Sequence, residues 1–468
     1  VSFKLPSLPS LPGLTGQLKD KLIQQTLERR LAKAGEPLER PAQSGDDADA
    51  NRSGSQAQTN PDTPETDPSC RFDLFPGYKQ IQILHGGAQR LGLANPFFKL
   101  HEGLAGAHCT IDGRERINFA SYNYLDFSGD PRVKQAAVEA IDHYGVSVSA
   151  SRVVSGDRPV HHALEEAIAN LYGTPAAVVF VSGHATNVST IGHLFGPRDL
   201  IVHDEYIHNS ALQGIQLSGA KRLSFPHNDW NALDALLAKQ RGQYERTLIV
   251  VEGLYSMDGD FPDLPRFIEV KRRHRALLMV DEAHSLGVLG QTGRGIREHF
   301  ALDAKDVDIW MGTLSKSLAG CGGYITGERA LVEQLKYLAP GFLYSVGMSP
   351  PLAAASLAAL QGMLEEPERV QALQHAGQLF LQRAQAAGIP TGTSVGLAIV
   401  PAIVGSSIQA TRLSAKLFEQ GINVQPILYP AVPEKAARLR FFMSCKHTPQ
   451  DIEYTVSILA KEFQQAAR

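Results

Sequence analysis

The chain has 468 residues, of which 43% are hydrophobic, 20% charged and 7% aromatic. That hydrophobic share suits a globular protein of about three domain-sized units with a large core, and it excludes a mostly disordered chain. The 45 basic and 48 acidic residues leave a net charge of −3, which argues against the basic face of a general nucleic-acid binder, and no apolar run approaches the roughly 18 residues of a membrane span.

In chain order, residues 1–35 read as an N-terminal tail with a helical stripe of Leu18, Leu22, Ile23, Leu27 and Leu31. That stripe suits docking and a solvated tail helix equally. The start lacks the apolar core of a secretory signal, and its missing Met is compatible with excision from a longer chain. Residues 36–70 are polar and acidic without an aromatic residue, the composition of a disordered linker. An arm over 71–120, a large domain over 121–350 and a small C-terminal domain over 351–468 are expected to follow. The runs 177–181, 248–251, 277–280 and 307–311 are short, continuous and apolar, and helical stretches separate them. They predict buried parallel strands of an α/β sheet. The last hundred residues predict a smaller α/β unit with strands near 397–400 and 440–443. Cys70, Cys109, Cys321 and Cys445 are scattered, with no zinc-type spacing; they predict free thiols in a reducing cytoplasm and no metal site.

Chemistry-bearing residues follow each predicted strand. Ser182 to Asn187 form a glycine turn opening a helix, whose backbone N–H groups suit an anion. Glu252 to Asp260 follow the second strand, Asp281 to Gly287 the third, and Thr313-Leu314-Ser315-Lys316 the fourth. Ligands of such sheets bind beyond the carboxyl ends of the strands. Each residue alone suits a structural role: Asp281 as a cap, His208 as an ordinary histidine, Arg440 as an ion-pair partner. Together they supply what pyridoxal phosphate needs, namely a lysine for its aldehyde, a carboxylate for its ring nitrogen and amides and hydroxyls for its phosphate.

With Asn118 to Leu125 and Leu439-Arg440-Phe441 added, the chain from about Phe97 onward resembles the α-oxoamine synthase family of fold-type-I pyridoxal-phosphate enzymes. Its motifs are nearest to serine palmitoyltransferase-like members. The resemblance implies a mostly parallel seven-stranded sheet in the large domain. It also implies decarboxylative condensation of a small amino acid (serine, alanine or glycine) with an acyl thioester, giving an α-amino ketone. It assigns Lys316 to the cofactor aldehyde and to the Cα proton, Asp281 to the ring nitrogen, and His284 and Ser256 to the phenolic oxygen. His208 would stack on the ring, Gly183, His184 and Thr313 would bind phosphate, and Glu252 would support the lysine. Arg440 would clamp the substrate carboxylate, and Tyr122 would shape the substrate entrance. A homodimer with a shared active site is implied. Val346 stands where the family often places a phosphate-binding threonine given by the other subunit, so Ser345 is expected to serve instead. The arginine that the biotin-pathway branch carries near the N-terminus has no counterpart near Phe97, which argues against the substrate of that branch.

The acyl donor is expected to be a CoA or an acyl-carrier-protein thioester, the linker over 36–70 suiting a carrier assembly. An aminotransferase of the same fold is the alternative. A catalytically silent subunit would lack Lys316. Asp281-Glu282-Ala283-His284 also spells a helicase motif, but no phosphate loop accompanies it. Gly290, Gly293 and Gly295 read as a loop.

Overall fold

The computed structural model describes residues 68–90, 92 and 95–466. The tail and all of the linker up to residue 67 lie outside them. Two compact units are distinguished, residues 1–95 and 96–468. Within the first, short 3-10 turns at Pro68–Cys70 and Phe72–Leu74 precede a helix over Pro76–Arg90.

The second unit opens with β1 (His101–Glu102), β2 (His108–Ile111) and β3 (Arg114–Asn118), and continues with β4 (Ala176–Phe180), β5 (Leu200–Asp204), β6 (Lys221–Phe225), β7 (Thr247–Glu252), β8 (Leu277–Asp281), β9 (Ile309–Thr313) and β10 (Gly323–Gly327). Strands β4 to β10 form one seven-stranded sheet in the order β4-β10-β9-β8-β7-β5-β6. Only β10 runs against the others, pairing antiparallel with both β4 and β9. The four strands expected from apolar runs are β4, β7, β8 and β9. β5, β6 and β10 escaped that reading. β6 is an edge strand with exposed Lys221 and Arg222, and β10 carries two glycines.

Alternate residues of the buried strands enter different cores, as the two-residue period of a strand requires. Leu248, Val250, Met279 and Met311 pack on one face with Ile191, Ile215 and Leu335 from helices. Ile249, Val251, Leu278, Val280 and Trp310 pack on the other with Leu164, Ile168, Leu237 and Phe267. Burying both faces explains why these strands read as unbroken apolar runs rather than alternating ones.

The C-terminal strands are β11 (Ile399–Ile403), β12 (Ile422–Asn423), β13 (Gln425–Ile427) and β14 (Arg438–Phe442). An antiparallel sheet has the order β11-β14-β13, and β12 joins β1, β2 and β3 by pairing parallel to β3. The segment after β7 reaches this part of the molecule. Gly259 has φ +71°, and a Cβ there would run into the Ile399 carbonyl. Arg438 and Asp258, both buried, form an ion pair of 2.6 Å. His227 sits between Asp204 (3.0 Å) and Asp260 (3.1 Å). Burial opposes its charge, but hydrogen bonds to the two carboxylates outweigh burial and raise its pKa to about 10.

Candidate active site

Five strands, β4, β5, β7, β8 and β9, end at one cavity of about 200 Å³, lined by Ser182, Gly183, His184, Asn187, His208, Ser210, Glu252, Asp281, Ala283, His284, Met311, Thr313, Ser315 and Lys316. After β4, Ser182 caps the helix Gly183–Leu194 by accepting the Ala185 N–H at 3.3 Å. The open amides of that helix start face the cavity, and the helix dipole adds partial positive charge there. Gly183 is required: a Cβ would come within 2.8 Å of Thr313 Oγ1. After β5, His208 caps the helix Asn209–Ser218, its Nδ1 accepting from the Ser210 N–H at 3.2 Å.

Glu252 and Asp281 are the last residues of β7 and β8 and stand opposite one another in register. Burial, reinforced by the Asp281 charge, raises the Glu252 carboxyl well above the usual carboxylate range. Asp281 is held by the Ala283 N–H (2.9 Å) and by the Asn187 amide (2.8 Å), which also donates to Ser210 Oγ (2.9 Å). A carboxylate fixed by two donors cannot swing away from its target. Burial lowers the Lys316 ammonium to about 8, although Asp281 and Glu252 favour its charge; Arg440 lowers it further. A free amine is therefore accessible near neutral pH, as a nucleophile or base needs. Burial also drives His284 well below its ordinary value, with Lys316 and Arg440 adding to the effect, and lowers His208.

Arg440, on β14, donates to the Ser256 carbonyl at 3.0 Å and lies over the Phe442 ring at 4.6 Å. Its Nε is buried without a partner, which leaves a donor for a carboxylate. Tyr122, 41% exposed, packs edge-on against Phe442 and has Lys316 Nζ 5.7 Å from its ring centre.

The structure thus gathers Gly183, His184, His208, Glu252, Asp281, His284, Thr313 and Lys316 into one cavity, with Tyr122 and Arg440 beside it. Ser256 is not among its lining, nor is Ser345, which is expected to serve the site of the other subunit. Ser256 meets Arg440 through its backbone carbonyl. Ser345 is turned into its own helix end, its hydroxyl donating to the Gly341 carbonyl at 2.7 Å. Sequence reasoning passed over Asn187, Ser210, Ser315 and Tyr124. Asn187 stands one helical turn beyond Gly183, and Ser315 lies between Thr313 and Lys316, so spacing was a usable signal for both. Nothing local marks Ser210.

The residues present fit pyridoxal phosphate. Glu252 Oε1 and Asn187 Oδ1 are buried without a hydrogen-bond partner, the helix start after Ser182 offers anion donors beside Thr313 and Ser315, and an amine and a carboxylate share the cavity. The unpartnered atoms matter because buried polar groups are otherwise satisfied.

Residues 114–459 match the family model described as aminotransferase class I and II. The chain is 40% identical over 375 residues to 8-amino-7-oxononanoate synthase of Symbiobacterium thermophilum, covering 80% of this chain and 95% of that protein. It is 42% identical over 362 residues to the Geobacter sulfurreducens protein of the same name, covering 77% and 92%. Among solved structures, serine palmitoyltransferase of Sphingomonas wittichii superposes with a TM-score of 0.80 at 28% identity, over 84% of this chain and 99% of that one.

Proposed function

The chain belongs to the aminotransferase class I and II family and, within it, to the α-oxoamine synthases, and from that premise we propose that it joins a small amino acid to an acyl thioester with loss of CO2. The products are an α-amino ketone and a thiolate. Bound pyridoxal phosphate supplies an electrophilic aldehyde and an electron-withdrawing ring.

Lys316 would hold the aldehyde of the cofactor, and its amine would move the proton at the amino-acid Cα. Asp281, fixed by Asn187, would pair with the ring nitrogen. The helix start at Gly183 and His184, with Thr313, would bind the phosphate; His208 would stack on the ring and steer the amino acid; His284 would donate to the phenolic oxygen. Glu252, buried beside Lys316, would support the surroundings of the lysine. Arg440 binds the substrate carboxylate until it departs as CO2, and Tyr122 shapes the entrance. The observation that carries this reading is the delivery of Lys316, Asp281 and the helix start to one cavity by separate strands.

The substrates are a serine, alanine or glycine and a thioester carried on CoA or on an acyl carrier protein. The relatives' product name places an amino group on carbon 8 beside a ketone on carbon 7, the pattern alanine would leave. The serine palmitoyltransferase likeness points to serine. Two copies share the site in a homodimer, and the free thiols of all four cysteines fit a reducing cytoplasm. Among the described residues no helix is long and apolar enough to cross a membrane.

Thiol release from matched acyl-CoA and acyl-carrier thioesters, across a panel of the three amino acids, tests the reading. Release dependent on one amino acid and lost in Lys316→Ala is expected. A keto acid formed without thiol would establish the aminotransferase alternative, which the family description keeps in view.

A further inference from the structure

Tyr124 is a fully buried residue that the proposed chemistry does not use. Its hydroxyl lies 2.8 Å from Nδ1 of His284, and its backbone carbonyl accepts the Cys445 N–H at 2.8 Å, which anchors the residue. Burial keeps both partners neutral, pushing the phenol well above 10 and the imidazole well below 6.5. A neutral imidazole carries one proton, so two arrangements exist. With that proton on Nδ1, the phenol oxygen would accept, and the phenol proton would be left without an acceptor in a dry interior. An unmade buried hydrogen bond of that kind costs about 1–3 kcal/mol. With the phenol donating to Nδ1, both groups are satisfied and the imidazole proton sits on Nε2.

We propose that Tyr124 is a positioning residue that locks His284 as the Nε2–H tautomer, so that the ring turns a donor toward an anionic oxygen in the cavity. The proposal rests on the reading above, in which the phenolic oxygen of the cofactor is that anion. The second cavity histidine is arranged alike. Nδ1 of His208 accepts from the Ser210 N–H at 3.2 Å and lies 2.7 Å from the Ser210 hydroxyl, so its only proton in the neutral ring is also on Nε2. Without Tyr124, His284 is free to turn a lone pair toward the same oxygen, which repels rather than stabilises the charge.

The test is 15N NMR of histidine-labelled protein, with the His284 signals identified by their loss in His284→Asn. In both the cofactor-free and the pyridoxal-phosphate-loaded protein, His284 is expected to show an unprotonated Nδ1 and a protonated Nε2. Tyr124→Phe keeps the ring and its packing; it is expected to bring in an Nδ1-protonated signal. In the loaded variant, the pH at which the bound cofactor's visible band titrates is expected to move upward, because the phenolic oxygen holds negative charge less well. A protonated Nδ1 in the wild-type protein overturns the proposal, and so does a Tyr124→Phe protein whose tautomer signals and titration are unchanged. Failure of the wild type to bind cofactor would strike the functional reading instead, while spectra of the cofactor-free protein would still decide the tautomer.

Discussion

Lys316 is the residue on which burial and charge compete most directly. Its amine is pulled down from 10.5 to about 8 because desolvation outweighs Asp281 and Glu252. Between about 8 and 10.5 the folded protein therefore binds fewer protons than the unfolded chain, so stability rises with pH through that window. Below about 8 the full cost of burying the ammonium is present, on the order of 3 kcal/mol. Lys316→Met in the cofactor-free protein should raise the unfolding free energy at neutral pH, and the gain should fade toward pH 10.5. Urea titrations across that range measure it; a gain independent of pH would show that the methionine merely packs better. Lys316 and Asp281 were legible as candidates in the sequence, Asp281 ending one apolar strand and Lys316 lying just past another. Of the partners of Asp281, Ala283 is two residues on in the same segment, whereas Asn187 was not legible because it reaches Asp281 from 94 residues away.

At the scale of elements, the segment between β7 and the helix Leu264–His274 joins the parallel sheet to the C-terminal strands. Its Gly259 admits no side chain against Ile399, and Asp258 pairs with the buried Arg438 on β14. The same segment offers the Ser256 carbonyl to Arg440. Asp258→Ala should leave the Arg438 guanidinium buried without its counter-charge and cost about 3–5 kcal/mol, read from denaturant unfolding. It should also raise KM for the amino acid more than it lowers kcat, because Arg440 loses its support rather than its charge. Equal stability of mutant and wild type would place the pair among ornamental contacts. The glycines at 290, 293 and 295 behave as the loop expected of them: all three have positive φ and no strand leads into them. β10 went unread because its direction is set by its neighbours β4 and β9, which no local pattern encodes.

At the scale of the molecule, exposed apolar side chains gather where a second copy is proposed to dock. Tyr344 and Val154 are 81% and 78% exposed, and Val146, Val153 and Val346 are exposed as well. The segments that carry them are tied together by the Gly347 N–H on the Ala150 carbonyl (2.9 Å) and the Ser349 hydroxyl on the Val146 carbonyl (2.7 Å). Several large apolar side chains exposed on segments tied together in this way suit an interface. Sedimentation of the full chain should show a dimer, and Val346→Glu should shift it to monomer and weaken cofactor retention. A monomeric wild type at micromolar concentration would remove the shared-site proposal, and with it any role for Ser345 across the interface.

The sequence by itself offered four of the seven strands of the sheet, β4, β7, β8 and β9, and the polar residues that follow them, because each of those is a property of consecutive residues: an apolar run long enough to be buried on both faces, followed at once by polar chemistry; the fold family and the roles expected of the lysine and the aspartate came from the resemblance those motifs carry. Only the tertiary structure decided that Asn187 braces Asp281 and that Tyr124 answers His284 from 160 residues away. Those facts are hydrogen bonds between segments remote in the chain. A hydrogen bond has a direction and a length but no sequence spacing, so folding had to bring the partners together before it could be seen.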